Sequence, residues 1–384
     1  MTTHNTDTKR LVLLAVAGSR SYGLHTSASD IDVKGICFGE ASCYAGFQSP
    51  FAQLQGDDVV ALFNAVCADA EVRGTANREG VEGVIYEVRK FFRLASECNP
   101  NILESLFCAD RHVLYCSDVG EQLRERADEF LSGKAKHTFC GYAMAQLSRI
   151  KTHKKWLMEP PPAPPERADF GLPERRLIPK SHQQELAALV QKKLDEWEPD
   201  LSPLEPADRR IVESRLRRIL VDALGEDPWP SAARLVGLQD DVVAVMQRER
   251  SFQSARTNWK QYANWKKNRN EARAELEAKH GYDTKHAMHL MRLLRMGLEI
   301  VERGEVRVDR TNIDADELLD IRRGALAYDE LIAQSDALLA QVSEAYDARY
   351  VRHETSPSVP PMVDVAALDS WCTELVTQQL RSTS

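Results

Sequence analysis

The chain has 384 residues, of which 43% are hydrophobic and 28% charged, and a formal net charge of -8. This apolar content excludes a disordered chain, and the length suits about two domains. The acidic balance excludes a surface that is basic throughout, although a local basic groove would still attract phosphates.

Cysteine usage and the start of the chain indicate a reducing compartment. The eight cysteines form no CxxC pair, which gives no support for a zinc or redox motif. No signal peptide is visible, and the apolar run from Leu11 to Ala17 is far shorter than the roughly 20 residues that span a bilayer. We therefore expect a cytoplasmic protein with free thiols and no membrane partner.

In chain order, the first part of the sequence mixes strands with helices. Residues 1–10 form a polar tail, and the apolar run 11–17 predicts a buried strand that ends in a tight Gly-Ser turn. The segments SDIDVKGICF and GVEGVIY predict two further strands. Helical periodicity then starts near Tyr86 and stops at Asn99-Pro100.

The rest of the chain is predicted to be mainly helical. The predicted fold class is α+β, with a small mixed β-sheet and helices over residues 11–117 and a larger helical domain over 118–346. A proline-rich loop at 158–182 interrupts the helical domain, and residues 347–384 form a linker and an amphipathic C-terminal tail. The predicted helices cover 118–157, 183–250 with a break at EDPWPS, and 256–303 with a break at His280-Gly281-Tyr282, and a pair of helices fits 314–346. The short amphipathic tail covers 365–380.

Two aspartates alternate with apolar residues on the second predicted strand. Side chains on a strand alternate between faces, so Asp30 and Asp32 share one face while Ile31 and Val33 enter the core. Neighbouring carboxylates repel one another unless a cation lies between them, and Mg²⁺ takes one or two protein carboxylates together with substrate phosphates. The tripeptide alone is weak evidence, because solvated acidic pairs are common.

The turn before this strand strengthens the evidence for a site that binds metal and phosphate. Gly18 lets the backbone approach a ligand closely, and Ser19 with neighbouring amides can hydrogen-bond a phosphate. Alone, this pair is typical of a simple strand-to-helix turn. Together with the Asp-x-Asp strand at this spacing, it favours a site for Mg²⁺ and a nucleoside triphosphate.

The segment AVAGSRSYGLHTSASDIDVKGI resembles the signature of the DNA polymerase β-type nucleotidyltransferase superfamily. The resemblance implies that residues 11–117 form the catalytic domain and that Gly18 and Ser19 hold the triphosphate. It also implies that Asp30 and Asp32 bind two divalent metals, Mg²⁺ or Mn²⁺, and that a third carboxylate lies on a later strand.

The third carboxylate is assigned to Glu82. It lies between apolar or small residues just before a predicted helix, where the superfamily usually has an aspartate. Glutamate is one methylene longer and can still reach a metal. Asp69 and Glu71 are rival positions, and Glu87 is a weaker one.

Three further stretches resemble one branch of the superfamily, the predicted nucleotidyltransferases linked to RNA repair in bacteria and phages. They are residues 86–107, 139–155 and 265–308, and the last is the most distinctive. With the N-terminal signature, the resemblance covers roughly half of the chain. Residues 158–255 and 350–384 depart from the pattern.

Five further residues are candidates for contact with the nucleotide. Arg20 and Tyr22 lie near the phosphates if the resemblance holds, and Arg20 would offset charge there. Lys285, His289 and Arg292 share one face of a predicted helix, and the two cations could hold phosphates of the nucleotide or of an acceptor.

The same helix has a structural interpretation. Glu299 lies on the face of these cations, and an amphipathic surface helix would carry intrahelical ion pairs such as Arg295 with Glu299. The pair His286 and His289 is not a convincing zinc site, because histidines three apart need further ligands and none is obvious.

Two other stretches have both structural and functional interpretations. Asn101 fits a helix N-cap with Glu104 three residues later, as in a capping box, and the alternative is a supporting role near Glu82. Five residues lie on or near one predicted helix: Tyr142, Arg149, Lys151, His153 and Lys154. They would form either a basic face for RNA or triphosphate or a solvated surface.

The expected activity is transfer of a nucleoside monophosphate from a nucleoside triphosphate such as ATP to an acceptor hydroxyl, with release of pyrophosphate. An RNA end is the expected acceptor, by the resemblance and the basic helical faces. The alternatives are nucleotide transfer to a protein or small molecule, and a catalytically silent nucleotide-binding subunit. The intact Gly-Ser turn and Asp-x-Asp pair argue against the silent subunit.

Overall fold

The computed structural model describes residues 8–27, 29–46, 52–176, 178–195, 229–269 and 271–382. Within this part, the α+β prediction is confirmed, because a small mixed sheet in the N-terminal region is followed mostly by helices. The contacts divide the chain into two compact units. The first consists of Met1–Lys154 and Ala272–Ser384, and the second of Lys155–Glu271.

One sheet forms the N-terminal part of the first unit. Its strands are β1 Leu11–Ala17, β2 Ile31–Cys37, β3 Gln53–Gln55, β4 Val81–Glu87 and β5 Val113–Cys116. Their order in the sheet is β3-β4-β2-β1-β5. β2 runs antiparallel to β1 and parallel to β4, and the outer strands β3 and β5 pair antiparallel with β4 and β1. The sheet is therefore mixed.

The positions of β1 and β2 explain their residue patterns. All seven residues of β1 are buried, as expected for a strand that is covered on both faces. On β2, Ile31 and Val33 are buried, whereas Asp32 and Lys34 on the other face are partly accessible. The predicted alternation on this strand is thus present in the structure.

Helices make up most of the remaining described chain. In the first unit they surround the sheet and build the larger part of the core. A π-helical turn, Asp347–Val351, directly follows the helix Tyr328–Tyr346. The helices are α1 Gly18–Ser21, α2 Ala41–Ala45, α3 Asp57–Val66, α4 Ala70–Glu79, α5 Val88–Ser96, α6 Pro100–Leu106, α7 Asp118–Glu125, α8 Ala135–Met158, α9 Lys180–Asp195, α10 Trp229–Leu235, α11 Asp240–Lys267, α12 Glu271–His280, α13 Thr284–Arg303, α14 Ala315–Arg323, α15 Tyr328–Tyr346 and α16 Val365–Ser382.

An aromatic cluster fixes the C-terminal helix α16 to the first unit. The ring centroids of Phe92 and Trp371 are 5.2 Å apart, and those of Phe92 and Phe130 are also 5.2 Å apart. Edge-to-face pairs at this separation stabilise beyond the area that they bury. The predicted amphipathic tail is therefore part of the core of this unit.

Several predicted helix boundaries differ from the structure. The predicted gap between residues 250 and 256 lies inside α11, which runs from Asp240 to Lys267 without a break. Tyr86, the predicted helix start, belongs to β4, because β4 continues its pairing with β2 as far as Glu87 opposite Cys37. The predicted helix over 118–157 is divided between α7 and α8, with a short 3-10 turn at Ala127–Phe130.

The predicted domain boundaries at residues 117 and 346 both fall inside the first compact unit. One hydrophobic core there extends from Val12 to Leu375, so packing joins the sheet to helices from both ends of the chain. As a division by function, the catalytic domain over 11–117 and the helical domain over 118–346 stay predictions.

The second unit has its own small core. Val190, Trp229 and Met246 are buried there, and Arg167 binds the buried Glu249 through two nitrogens. The proline-rich loop predicted at 158–182 follows the end of α8, although α9 begins two residues before the predicted loop ends.

A large part of the predicted helical segment 183–250 lies outside the described residues, and so does the first half of its break at EDPWPS. Among the helices of the described ranges, none combines the length and the hydropathy that crossing a membrane requires.

Candidate active site

Three carboxylates meet at one end of the central strands. The strand register places Asp32 of β2 opposite Ala17 of β1 on one side and opposite Glu82 of β4 on the other. Asp30 directly precedes β2, and one carboxylate oxygen each from Asp30, Asp32 and Glu82 lies within 4.8 Å of the others. The structure thus brings together the two predicted metal-binding aspartates and the predicted third carboxylate.

The electrostatics of this cluster favour a bound cation. Burial and the charge of Asp30 raise the pKa of Asp32 above its usual range, and Glu82 contributes in the same direction. Lys285 and Lys34 act against this increase. A divalent cation would relieve the repulsion, and carboxylate oxygens are the ligands that Mg²⁺ and Mn²⁺ prefer. The donor set therefore fits such a metal.

Gly18 and Asp32 are in direct contact where β1 ends. Gly18 has a φ of +64° and begins the single helical turn α1. A Cβ atom at this position would lie 2.1 Å from Oδ2 of Asp32, so only glycine leaves the carboxylate in place. From the sequence, glycine was expected to let the backbone come close to a ligand. The structure gives a second reason, which is the close contact with the carboxylate of Asp32.

Arg20 secures the loop that leads into β2. Its Nη2 donates to the backbone carbonyl of Ser29 at 2.7 Å, and its Nε donates to that of Asp30 at 3.1 Å. These bonds connect the turn after β1 to the residues that carry the carboxylates. The predicted place of Arg20 near the phosphates stays a prediction.

A cleft of about 650 Å³ opens beside the carboxylates, a volume typical of small-molecule sites. It is lined by all of the predicted nucleotide-binding residues except Arg20. Tyr22 adds an aromatic ring from the end of α1, and helices α8 and α13 supply the other cationic and aromatic side chains. These are His137, Tyr142 and Arg149 from α8, and Lys285, His289 and Arg292 from α13.

A buried polar network underlies the cleft. The hydroxyl of Tyr22 donates to Oε2 of Glu104, and Nη1 of Arg292 donates to Oε1 of the same carboxylate at 2.6 Å. The guanidinium of Arg292 lies 3.7 Å from the centre of the Tyr22 ring. Nζ of Lys34 lies 3.6 Å from Glu104. Arg292 is therefore engaged with Glu104 and Tyr22, and its contact with a phosphate stays a prediction.

The surroundings of His289 favour its neutral form. Burial lowers its pKa well below the usual range, and the nearby cations Arg292 and Lys285 lower it further. Its ring meets that of Tyr22 edge to face, with 6.2 Å between the centroids. His289 can therefore accept or donate a hydrogen bond in the cleft, but it adds no positive charge there.

The rival third carboxylates have other roles in the structure. Oδ1 of Asp69 accepts hydrogen bonds from the backbone of Glu71 and Val72 and so caps α4. Glu87 is buried, accepts from the hydroxyl of Tyr44, and caps α5. Glu71 is exposed on α4.

The predicted capping box at the start of α6 is wrong. Asn99 is the N-cap, and its side chain accepts from the backbone N–H of Asn101 at 3.1 Å. Pro100 occupies the first helical position, where a missing N–H is tolerated, so the helix starts earlier than predicted. Glu104 points into the buried network rather than back to the helix start.

The predicted intrahelical pair of Arg295 with Glu299 is also wrong. Arg295 binds Asp314 at 2.8 Å and also Glu317, whereas Glu299 binds Arg310 at 2.7 Å. Partners on the following segment replace the local pair, because these carboxylates and cations lie at a packed contact.

The residues of the predicted basic face on α8 do not form one continuous surface in the structure. Tyr142 and Arg149 line the cleft, while Lys151 is exposed and Nζ of Lys154 lies 4.3 Å from the centre of the Tyr328 ring. Only the first two therefore contribute to the candidate site.

Sequence reasoning missed some residues of the site. Lys34 follows Asp32 by two positions, so strand alternation was a signal that could have found it. His137 and Gln146 line the cleft from α8, and their sequence surroundings carry no signal of this role.

The mixed sheet, the Gly-Ser turn and the converging carboxylates define a protein of the DNA polymerase β type. The chain matches the model of the family described as RlaP, RNA repair pathway DNA polymerase beta family, over residues 1–218. This match covers more than half of the chain, so the protein belongs to that family, and the predicted resemblance is confirmed. The family indicates a nucleotidyltransferase of RNA repair. No curated protein and no solved structure gives a significant match.

Proposed function

We propose that this protein transfers a nucleoside monophosphate from a nucleoside triphosphate to a hydroxyl group at an RNA end. The observation that supports the proposal is the convergence of Asp30, Asp32 and Glu82 beside Gly18, at the edge of a cleft with cationic side chains. In the reaction, the acceptor oxygen forms a bond to the α-phosphorus, and the bond from that phosphorus to pyrophosphate breaks. The acceptor hydroxyl loses its proton to solvent water, and pyrophosphate leaves with the electron pair of the broken bond.

The three carboxylates would hold divalent metal, Mg²⁺ or Mn²⁺. Two such ions would supply charge neutralisation of the phosphates and a lower pKa for the acceptor hydroxyl. The contribution of the chain is to hold its ligands in position, since Gly18 leaves room for Asp32 and Arg20 fixes the backbone beside Asp30. Positioning and charge stabilisation account for most of the catalysis in such sites.

The cleft also offers groups for the triphosphate. Lys285 and Arg149 line it from α13 and α8, and the turn at Gly18-Ser19 presents backbone amides at the start of α1. Neutral His289 and the Tyr22 hydroxyl network shape its floor. An RNA end as acceptor is supported by the RNA repair description of the family.

The test is incubation of the purified protein with Mg²⁺ and each α-labelled nucleoside triphosphate, together with RNA, protein and small-metabolite fractions. We expect label on RNA and release of pyrophosphate. Label on protein or on a small molecule instead would contradict the RNA acceptor while keeping the transfer reaction. Nucleotide binding without any labelled product would contradict the activity itself.

The role of Glu82 is tested by its amide variant in the same assay. Glu82→Gln keeps the size of the side chain but removes the charge that a metal requires, so we expect turnover to fall roughly 100-fold or more. Glu71→Gln is the matched control, because it changes an exposed rival carboxylate and should leave turnover unchanged. Full activity of Glu82→Gln with loss in Glu71→Gln would move the third carboxylate to α4.

A further inference from the structure

Two histidines and an aspartate converge where α8 and α13 lie side by side in the first unit. His153 is near the end of α8, Asp283 directly precedes α13, and His286 is in the first turn of α13. One ligand atom from each of the three lies within 4.8 Å of the other two. The residues that could bind a metal together with His286 are therefore His153 on α8 and Asp283 at the N-cap of α13. His289 is not part of this cluster.

The distances within this cluster suit ligands that surround a metal ion. Oδ2 of Asp283 lies 3.6 Å from Nδ1 of His153 and 3.5 Å from Nε2 of His286. These separations exceed the usual hydrogen-bond range of about 2.7–3.2 Å. Ligands of a tetrahedral zinc ion with bonds of about 2.1 Å are separated by about 3.4 Å. The two separations therefore resemble the spacing of ligands around such an ion.

Neighbouring groups hold the three side chains in an orientation suitable for ligation. Nδ1 of His286 lies 2.7 Å from Oε1 of Gln146 on α8. When Nδ1 donates its proton to this amide oxygen, the lone pair of Nε2 faces the carboxylate of Asp283. The backbone N–H of His286 donates to Oδ1 of Asp283 at 3.1 Å, which fixes that carboxylate. Support of this kind, from the second nitrogen of the ring, is typical of metal-binding histidines.

The burial of the cluster also favours a cation. The side chain of Asp283 is 0% exposed, and those of His153 and His286 are 13% and 17% exposed. A buried carboxylate is costly unless it is hydrogen-bonded and paired with a positive charge or coordinates a metal. Two imidazoles and one carboxylate are a common ligand set for Zn²⁺, whereas Mg²⁺ prefers oxygen donors only.

We propose that His153, Asp283 and His286 form a second metal site, separate from the three carboxylates, which binds a transition-metal ion of the Zn²⁺ type. The ion joins α8 to α13, the two helices that supply the cationic side chains of the cleft. A fourth ligand, water or a small anion, reaches it from the partly exposed histidine side. This site does not depend on the proposed nucleotidyl transfer.

Metal analysis of the full-length protein tests the proposal. The protein is stripped with a chelator, supplied with excess Mg²⁺ to occupy the carboxylate site, exposed to Zn²⁺, desalted and assayed for zinc. We expect one tightly bound zinc ion per chain. Removal of a ligand in His153→Ala or His286→Ala should weaken zinc binding by more than the roughly 100-fold that is the upper end for losing an outer partner.

Two control variants locate the zinc. His182→Ala changes an exposed histidine and should leave zinc binding unchanged. Asp32→Asn should also leave it unchanged, and loss of zinc in Asp32→Asn would assign the ion to the carboxylate site and overturn the proposal. Unchanged zinc binding in both ligand variants, or none in the wild type, would also overturn it, leaving a cluster in which Asp283 only caps α13.

Cobalt substitution tests the same site without any variant. Co²⁺ bound by two imidazoles and a carboxylate should show the intense visible bands of tetrahedral coordination. Thiolate-to-cobalt charge-transfer bands would instead assign the ion to cysteines, and weak octahedral bands would show six-coordination rather than the proposed tetrahedral site. Either of these spectra would contradict the proposed site even if a ligand variant failed to fold.

Discussion

Gly18 and Asp32 determine the geometry of the candidate site at the scale of single residues. The carboxylate of Asp32 occupies the space that a side chain at position 18 would need. The contact arises because the register of β1 and β2 places Ala17 opposite Asp32, so the first residue after β1 lies beside this carboxylate. The position of the metal ligand therefore depends on glycine as much as on aspartate.

Replacement of Gly18 by alanine is expected to lower the rate of nucleotide transfer strongly and the free energy of unfolding only modestly. The added methyl group displaces Asp32, and misplacement of a catalytic group by about 1 Å can lower turnover by about 100-fold. The left-handed backbone adds about 1–2 kcal/mol of strain. Turnover and thermal unfolding of Gly18→Ala measure the two effects.

Gly171→Ala is the matched control for this substitution. Gly171 has a nearly identical φ of +63°, but a Cβ atom there would lie 3.5 Å from its nearest neighbour, Nη1 of Arg248, which is ordinary van der Waals contact. We expect similar strain with normal turnover. Equal turnover of the two alanine variants would show that the contact with Asp32 is unimportant.

Glu104 is the central group of the buried network. Burial alone would raise its pKa, but Arg292 and Lys34 reverse this effect and lower the pKa below the usual range. Glu104→Gln leaves these buried cations without their counter-charge, so we expect the free energy of unfolding to fall by about 3–5 kcal/mol at neutral pH.

The pH dependence of this loss distinguishes charge from packing. Because the pKa of Glu104 is lower in the folded than in the unfolded protein, its stabilisation is complete above the unfolded-state pKa of about 4.3. It is lost as the pH falls through the folded-state value. Denaturant unfolding should therefore show a difference between wild type and Glu104→Gln that shrinks in acid, while the exposed Glu97→Gln changes little. A difference that stays constant with pH would contradict the assignment.

The carboxylate pair and the residues that support it differ in how well the sequence predicts them. Asp30 and Asp32 alternate with apolar neighbours, so strand geometry alone placed them on one face. Glu104 instead has the local pattern of a helix start, and its partner Arg292 is 188 positions away. No local periodicity encodes that pairing.

At the scale of elements, helices α13 and α14 are joined by a buried arginine. Arg310 is 1% exposed and donates to both oxygens of Glu299, at 2.7 and 2.9 Å, and to both of Asp314, at the same distances. Its backbone N–H also donates to the carbonyl of Tyr22 at 3.1 Å. This residue connects the helix that carries Lys285 to the loop after β1.

Replacement of Arg310 is expected to destabilise the first unit strongly. Arg310→Met keeps the length of the side chain but leaves two carboxylates facing each other, and loss of one partner from such a buried group costs about 3–5 kcal/mol. The measurement is denaturant unfolding. Arg323→Met, which breaks an exposed pair with Asp320, should have little effect. Comparable losses in both variants would show that burial of Arg310 is irrelevant to its contribution.

Elements with strong periodicity were predicted well, whereas several boundaries between helices and their neighbours were not. The apolar run of β1 and the amphipathic pattern of α13 can be recognised in the sequence, because burial of a strand or of one helical face requires apolar residues at regular positions. The start of α5 was placed too early because Tyr86 fits a helical pattern, whereas pairing of β4 with its neighbours extends the strand through Glu87. Tertiary pairing decided that boundary.

At the scale of the whole molecule, the sequence order of elements conceals how they pack. The first unit combines residues from both ends of the chain, so α13 reaches the cleft although it lies far from the Gly-Ser turn in sequence. The family match ends at residue 218, before α13 begins. The resemblance of residues 265–308 to the RNA repair branch and the spacing of Lys285, His289 and Arg292 on one helical face pointed to this helix, and in the structure it lines the cleft.

The central claim is that the three carboxylates and the glycine turn bind divalent metal together with a triphosphate. A crystal structure of the protein with Mn²⁺ and a non-hydrolysable nucleoside triphosphate, with manganese located by anomalous scattering, tests it most directly. We predict manganese ligated by Asp30, Asp32 and Glu82, with the triphosphate against Gly18 and Ser19. Manganese bound elsewhere, or a nucleotide bound away from this cleft, would contradict the account.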